Sequence, residues 1–152
     1  RVHRQLYDPA ARDLALPDQF QHVVQQAQDV AGASHIQVIV NAVDARISID
    51  RMMTLMLLVT EVLTNSIKHA FTADHPGEVR LTLERISAEN LRLTIADNGC
   101  GMAGQPPTTT TNRPLGLGTT IIKGFAAQLS GTLKVDGSNG VTTVVEFPEE
   151  RP

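Results

Sequence analysis

Residues 61–71 read EVLTNSIKHAF, and this stretch decides how the rest of the chain is interpreted. Successive side chains on an α-helix are about 100° apart, so Glu61, Asn65 and Lys68 fall in one narrow stripe, with His69 beside it. An asparagine inside a helix lowers helix stability unless its side chain has a use. The pattern indicates either a solvent-exposed helix face or the polar wall of a binding site.

The polar groups of this stripe suit a phosphorylated ligand. A magnesium ion takes oxygen ligands and keeps several waters, which fits the amide oxygen of Asn65 together with phosphate oxygens. Lys68 supplies a point charge for phosphate. Glu61 can orient or deprotonate an attacking nucleophile. We therefore predict a site for a nucleotide and its magnesium ion along this helix.

A second motif, DNGCG, occupies residues 97–101 and follows an alternating apolar run. The carboxylate of Asp97 can accept a hydrogen bond from an exocyclic amine of a base, while Gly99 and Gly101 let the backbone approach the ring. The alternative is a simple turn that leaves a sheet. Residues 99–104 also fit the dinucleotide pattern G-x-G-x-x-G, but the prolines and threonines that follow do not form the helix which that motif requires.

The third motif is LGLG at residues 115–118, where a helix is predicted to start after an irregular segment over residues 102–114. Free backbone amides at a helix N-terminus bind anions, so these residues can hold phosphate. Glycines near a helix start also occur for capping alone. In the binding interpretation, the segment over residues 102–114 is a mobile lid.

Hydrophobic periodicity gives the order of elements along the chain. We predict helices over residues 18–32, 50–70 (with Asp50 as the N-cap) and 116–129, and paired strands over 36–40 with 45–49, 78–86 with 91–95, and 132–135 with 142–147. Pairs of strands separated by single helices favour an antiparallel-rich sheet with helices on one face.

Composition excludes several classes of function. The chain has 152 residues, a net charge of −3 and one cysteine. No basic run is present, so we expect no nucleic-acid partner. A single cysteine cannot form an internal disulfide, which favours a reducing, cytoplasmic setting. The longest apolar run is too short to span a bilayer. Because the chain begins at Arg1, we expect it to be part of a longer protein.

The three motifs, in this order and spacing, resemble those of the catalytic, ATP-binding domain of sensor histidine kinases, in the superfamily of gyrase and the mismatch-repair ATPases. Residues 61–71 resemble the N box, residues 97–101 the G1 box and residues 115–118 the G2 box. The resemblance covers residues 18–148. The Lys-His-Ala-Phe ending is similar to the subfamily that neighbours the HWE kinases, although the chain lacks that group's tryptophan.

The resemblance implies a Bergerat fold, an α/β (α+β) two-layer sandwich with a mixed, mostly antiparallel sheet and three helices on one face. It assigns residues 18–150 to the catalytic domain. Residues 1–17 would be the tail of a preceding dimerisation and phosphoacceptor domain, with its linker.

The resemblance also implies roles for individual residues. It assigns Asn65 to magnesium, and the catalytic set to Glu61, Asn65 and Lys68, with Glu61 activating the phosphoacceptor. Lys68 and His69 would contact the phosphates. Asp97, Gly99 and Gly101 would contact the base. The residues between phosphate and lid would be Leu115, Gly116, Leu117 and Gly118.

One contact departs from the pattern. Gly140-Val141 stands where relatives have Gly-Thr near the adenine. Thr142 or Thr143 would take the role of that threonine, and Thr142 is the residue that we predict.

The implied reaction transfers the γ-phosphoryl group of ATP to a histidine on the dimerisation domain of the same parent protein, with a downstream response regulator as the next partner. We expect this fragment to be monomeric and cytoplasmic, and leave open whether the parent is attached to a membrane. Two alternatives remain: a serine kinase of the anti-sigma-factor type or another ATPase of the superfamily, and a non-catalytic nucleotide-binding module.

Overall fold

The structure is a computed structural model that describes residues 16–31, 36–45, 47–67, 77–98, 114–137 and 140–149. These segments form three helices and five strands, which are in chain order α1 (Leu16–Ala31), β1 (Ile36–Ala42), α2 (Ile49–Asn65), β2 (Gly77–Arg85), β3 (Asn90–Asp97), α3 (Pro114–Gln128), β4 (Thr132–Asp136) and β5 (Thr142–Pro148).

The five strands form one sheet in the order β1-β2-β3-β5-β4. Strands β1 and β2 are parallel, and the other three pairs are antiparallel. The predicted mixed, mostly antiparallel sheet is therefore confirmed. The prediction that residues 36–40 pair with residues 45–49 is wrong, because β1 pairs with β2 instead.

A helix cap explains why residues 45–49 do not form a strand. The hydroxyl of Ser48 accepts a hydrogen bond from the backbone N–H of Arg51 at 3.3 Å, and α2 begins at Ile49. Such a cap satisfies one of the free amides of the first turn. The N-cap is therefore Ser48, and the prediction of Asp50 is wrong. Asp50 lies in the first turn, where a negative charge suits the helix dipole.

The sheet buries one face, and this face carries the core. Register aligns Leu81, Ile95 and Thr143 across three strands, and all three side chains are buried. The residues of the opposite face are half-buried or exposed in the described strands, and they include the ion pair in which Arg92 Nε donates to Glu146 Oε2 at 2.9 Å. Alternation of buried and exposed residues thus fits helices on one side only, which confirms the predicted two-layer α/β architecture.

Helix α1 contributes the largest buried side chain on the helical side, Phe20, which is fully buried. Burial of one such side chain stabilises the fold by about 1.5–3 kcal/mol. Leu16, the first residue of α1, is also buried. The described residues begin at Leu16, residues 1–15 lie outside them, and the domain boundary at residue 18 stays a prediction.

The direction of α2 follows from the strands that it connects. A helix between two parallel neighbouring strands runs antiparallel to both. Because β3 is antiparallel to β2, α2 runs parallel to β3. The last turn of α2 therefore lies where β3 ends and β5 begins, which we call the Asp97 end of the sheet.

Helix α3 packs beside α2 in the opposite direction. Arg51, in the first turn of α2, donates from Nη2 to the carbonyl oxygens of Leu129 at 2.7 Å and Pro148 at 3.1 Å. The hydroxyl of Thr54 contacts Gln128 Oε1 at 3.3 Å. These contacts join the start of α2 to the end of α3, so the start of α3 lies at the Asp97 end. None of the helices in the described segments has the length and apolar character that a membrane crossing requires.

Two glycines offer a matched test of this packing. Gly124 is exposed within α3 and a Cβ there meets nothing within 4 Å, whereas a Cβ at Gly131 would lie 2.6 Å from the carbonyl oxygen of Glu146. We expect Gly124→Ala to raise the free energy of unfolding by about 0.5–1 kcal/mol because alanine favours helices. Gly131→Ala should lower it. Urea denaturation measures both, and an equal effect of the two substitutions would contradict the packing of the α3–β4 turn.

Candidate functional site

Asp97, the last residue of β3, is a buried carboxylate with 5% of its surface exposed. The hydroxyl of Ser66 donates to Asp97 Oδ2 at 2.9 Å, and the backbone N–H of Val141 donates to Oδ1 at 3.1 Å. The N–H of Asp97 donates in return to the carbonyl of Val141 at 2.9 Å. Donors from two other segments thus hold the carboxylate in one orientation.

Gly140 is a glycine for a steric reason. Its φ is +72°, and a Cβ at this position would lie 2.1 Å from the carbonyl oxygen of Asp97 and 3.2 Å from Oδ1. Only glycine adopts this conformation without strain. The close approach is what lets the next residue, Val141, reach the carboxylate.

Asn65 reaches the same end of the sheet. It is the last residue of α2, and its neighbour Ser66 binds Asp97, so the amide-bearing helix end and the carboxylate meet. Asn65 and Glu61 are half-buried. On the helix they lie within about 40° of Thr54, and Thr54 contacts the end of α3. The two described residues of the predicted polar stripe, Glu61 and Asn65, therefore lie on the flank of α2 that faces α3.

The start of α3 completes this end of the sheet. The backbone is helical from Pro114, so Leu115, Gly116, Leu117 and Gly118 lie in the first turn rather than just before it. Proline is favoured as a first helical residue because its missing N–H would have no partner there. The amides of a first helical turn have no partner within the helix and carry a partial positive charge. The G2 residues thus present the kind of backbone that binds phosphate.

The register separates the two candidate threonines of β5. Thr143 pairs with Ile95, is 3% exposed and lies on the buried face together with Asp97. Thr142 pairs with Ala96 and lies on the opposite, outer face. Successive residues of a strand point to opposite faces, so Thr143 is the threonine on the side of Asp97. For the adenine contact we therefore propose Thr143 in place of Thr142.

Comparison with protein families matches this arrangement to a known one. The model of the histidine kinase-, DNA gyrase B- and HSP90-like ATPases matches residues 50–151. The chain belongs to this ATPase family. ATP is therefore the nucleotide that its site implies.

Similar proteins include several kinases. Blue-light-activated histidine kinase 2 of Erythrobacter litoralis is 31% identical over 120 residues, which cover 78% of this chain and 34% of that protein. The chain thus spans about a third of this relative. The serine/threonine-protein kinase BtrW of Bordetella bronchiseptica is 44% identical over 62 residues, which are 41% of each protein.

Solved structures share the fold. The histidine kinase domain of a blue-light activated histidine kinase from Erythrobacter litoralis has a TM-score of 0.75 at 27% identity, with coverage of 90% of this chain and 66% of that one. The mycobacterial sensor histidine kinase MprB has a TM-score of 0.69 at 20% identity, with coverage of 91% and 99%. The two-layer sandwich is therefore that of histidine-kinase ATPase domains.

The described residues of this ATPase domain suit ATP. A fixed, buried carboxylate is a good acceptor for an exocyclic amine, and Gly140 keeps the space beside it free of a side chain. Within these residues, no group of three or more His, Cys, Asp and Glu side chains could hold a metal ion.

Several predicted residues cannot be placed. Lys68, His69, Gly99, Gly101 and the proposed lid over residues 102–113 lie outside the described residues. Ser66, in contrast, is described but was not predicted. Its place beside Asn65 and its helical position on the core side of α2 are the signals that could have indicated it. The anchoring amide of Val141 carries no side-chain signal in the sequence.

Gly140→Ala tests how the ATPase site is built. We expect the methyl group to displace the backbone of Asp97 and Val141, which lowers ATP affinity by at least about 10-fold and costs about 1–2 kcal/mol of folding stability. Calorimetry with ATP and thermal unfolding measure the two effects, with Gly124→Ala as the control. Unchanged ATP affinity in a folded Gly140→Ala variant would contradict the placement of the base beside Asp97.

Proposed function

We propose that this chain is the catalytic domain of a two-component sensor histidine kinase, which transfers the γ-phosphoryl group of ATP to a histidine on a dimerisation domain of the same parent protein. The carrying observation is the fixed Asp97 carboxylate at the same end of the sheet as the last turn of α2. In this proposal Asp97 binds the base, and the last turn of α2 binds a metal-bound phosphate. The family and the histidine-kinase relatives support this proposal.

In this proposal the protein contributes mainly positioning and charge. A ring nitrogen of the acceptor histidine attacks the γ-phosphorus, the bond to the β,γ-bridging oxygen breaks, and ADP leaves. Glu61 orients the imidazole and accepts its proton. Lys68, His69 and the amides of residues 115–118 hold the phosphates. A magnesium ion on Asn65 would supply charge neutralisation for the transferring group.

The acceptor and the partners lie outside this chain. We propose a histidine-bearing dimerisation domain that precedes residue 18, a response regulator as the next phosphoryl acceptor, a cytoplasmic location, and a monomeric state for the fragment. The chain matches 34% of its histidine-kinase relative, which leaves room for such domains in a protein of that length.

A serine kinase is the second candidate. The similarity to the serine/threonine-protein kinase BtrW favours this candidate. The segment matched to BtrW is 44% identical over 62 residues, whereas the longer segment matched to the histidine kinase is 31% identical over 120 residues. The nucleotide site would be the same in both cases. Only the acceptor differs, so the chemistry of the phosphorylated product separates them.

Radiolabelled ATP and the parent protein provide the test. We expect acid-labile, base-stable phosphate on a histidine of the parent, and none in an Asp97→Asn variant, whose amide can turn a donor toward the adenine amine. Acid-stable phosphate on a serine of a partner protein would instead establish the second candidate. ATP binding without any phosphoryl transfer from the parent would overturn both.

Asn65→Ala tests the proposed metal ligand. We expect magnesium-dependent transfer to fall on the order of 100-fold, because an electrostatic clamp on the transferring group is lost, while the domain still folds since alanine favours helices. Thr60→Ala on the exposed side of the same helix is the control. Phosphotransfer rates as a function of magnesium concentration give the answer, and full activity of Asn65→Ala would remove this residue from the mechanism.

A further inference from the structure

Ser66 donates a hydrogen bond to Asp97, the carboxylate to which the proposed function assigns the base. We propose that Ser66 is a positioning residue that sets the preference of the site for a 6-amino purine over a 6-oxo purine. The inference rests on the proposed function in one respect, namely that the base of the nucleotide lies against Asp97.

The hydrogen bond between the two side chains has a defined direction. The hydroxyl of Ser66 is the donor and Oδ2 of Asp97 is the acceptor. The oxygen atoms are 2.9 Å apart, and the residues are 7% and 5% exposed. A charge-assisted bond that is shielded from water is stronger than its exposed equivalent.

The backbone holds Ser66 in place before any ligand arrives. Its N–H reaches the carbonyls of Leu63 and Val62, and Ser66 and Ile67 continue α2 as a wider, π-type turn. At 100° per residue Ser66 lies on the core side of α2, between the directions of the buried Val59 and Val62. The next residue, Ile67, is also buried, with 8% of its surface exposed. The backbone bonds to Val62 and Leu63 and the buried neighbour Ile67 thus fix the position of the Ser66 hydroxyl.

The consequence is a base-recognition surface made of acceptors. The proton of Ser66 is committed to Oδ2 and the N–H of Val141 to Oδ1. A carboxylate accepts about four hydrogen bonds, so it can also accept from an amine of the ligand. The 6-amino group of adenine donates to such a surface. The 6-oxo group of hypoxanthine would place an acceptor against acceptors, which a site built for hydrogen bonding rejects strongly.

Removal of the hydroxyl should weaken recognition of the amine selectively. In Ser66→Ala the carboxylate loses the donor that orients Oδ2, so its bond to the 6-amino group weakens. ITP does not make this bond. We therefore expect ATP affinity to fall by about 10-fold, which is the size expected for one hydrogen bond to a charged group, and ITP affinity to stay constant.

The experiment measures the dissociation constants of ATP and ITP by calorimetry for the wild-type chain, Ser66→Ala and Ser66→Thr. We expect the ATP/ITP selectivity to fall about 10-fold in Ser66→Ala and to return in Ser66→Thr, which keeps the hydroxyl. Thr60→Ala, which removes a hydroxyl bonded to the carbonyl of Met56 on the same helix, is the control. In the kinase assay, Ser66→Ala should raise the KM for ATP and leave kcat unchanged, because the base lies far from the γ-phosphate.

The outcomes separate the two proposals. An equal loss of ATP and ITP affinity in Ser66→Ala would make Ser66 a structural residue only and overturn the inference, and so would unchanged selectivity. If the wild-type chain bound ATP no better than ITP, the placement of the base against Asp97 would fail. If selectivity behaves as expected but the parent transfers no phosphoryl group, the inference stands and the proposed kinase activity fails.

Discussion

A buried carboxylate is costly unless it is hydrogen-bonded, and this constraint organises one end of the molecule. Asp97 is satisfied by a hydroxyl from the end of α2 and an amide from the start of β5. Neither donor is near Asp97 in sequence. The carboxylate can therefore be stable only when the helix, the central strand and the last strand have assembled, and the same assembly brings Asn65, at the end of α2, to the Asp97 end of the sheet.

Helix α2 is anchored at both ends by such polar contacts. Arg51 joins its first turn to the carbonyls of Leu129 and Pro148, and Ser66 joins its last turn to Asp97. Between these anchors the buried side chains of the helix are apolar, namely Leu55, Leu58, Val59, Val62 and Leu63. The arrangement fixes the translation and rotation of α2, and both must be fixed if an amide and a carboxylate from different elements are to bind one nucleotide.

Local patterns in the sequence predicted most of the elements, because apolar and polar residues alternate in β2 and β3 and α2 has a continuous apolar face. Three features depended on information that is not local. The parallel partner of β1 lies beyond a whole helix, whereas the missed N-cap at Ser48 is a local signal next to the strand-like Ile47 and Ile49. The choice between Thr142 and Thr143 depends on a register of one residue, which reverses the face. Ser66 acquires a role only through Asp97, across the fold.

The mixed sheet has a consequence for the order of folding. The hairpins β2–β3 and β4–β5 close over short loops, whereas the parallel pairing of β1 with β2 requires closure of a chain segment that includes α2. Long-range closure is slow because its entropy is lost before contacts compensate for it. We expect backbone amides of the hairpins to gain protection first in pulsed hydrogen exchange, so nascent chains would stay unable to hold nucleotide until α2 docks.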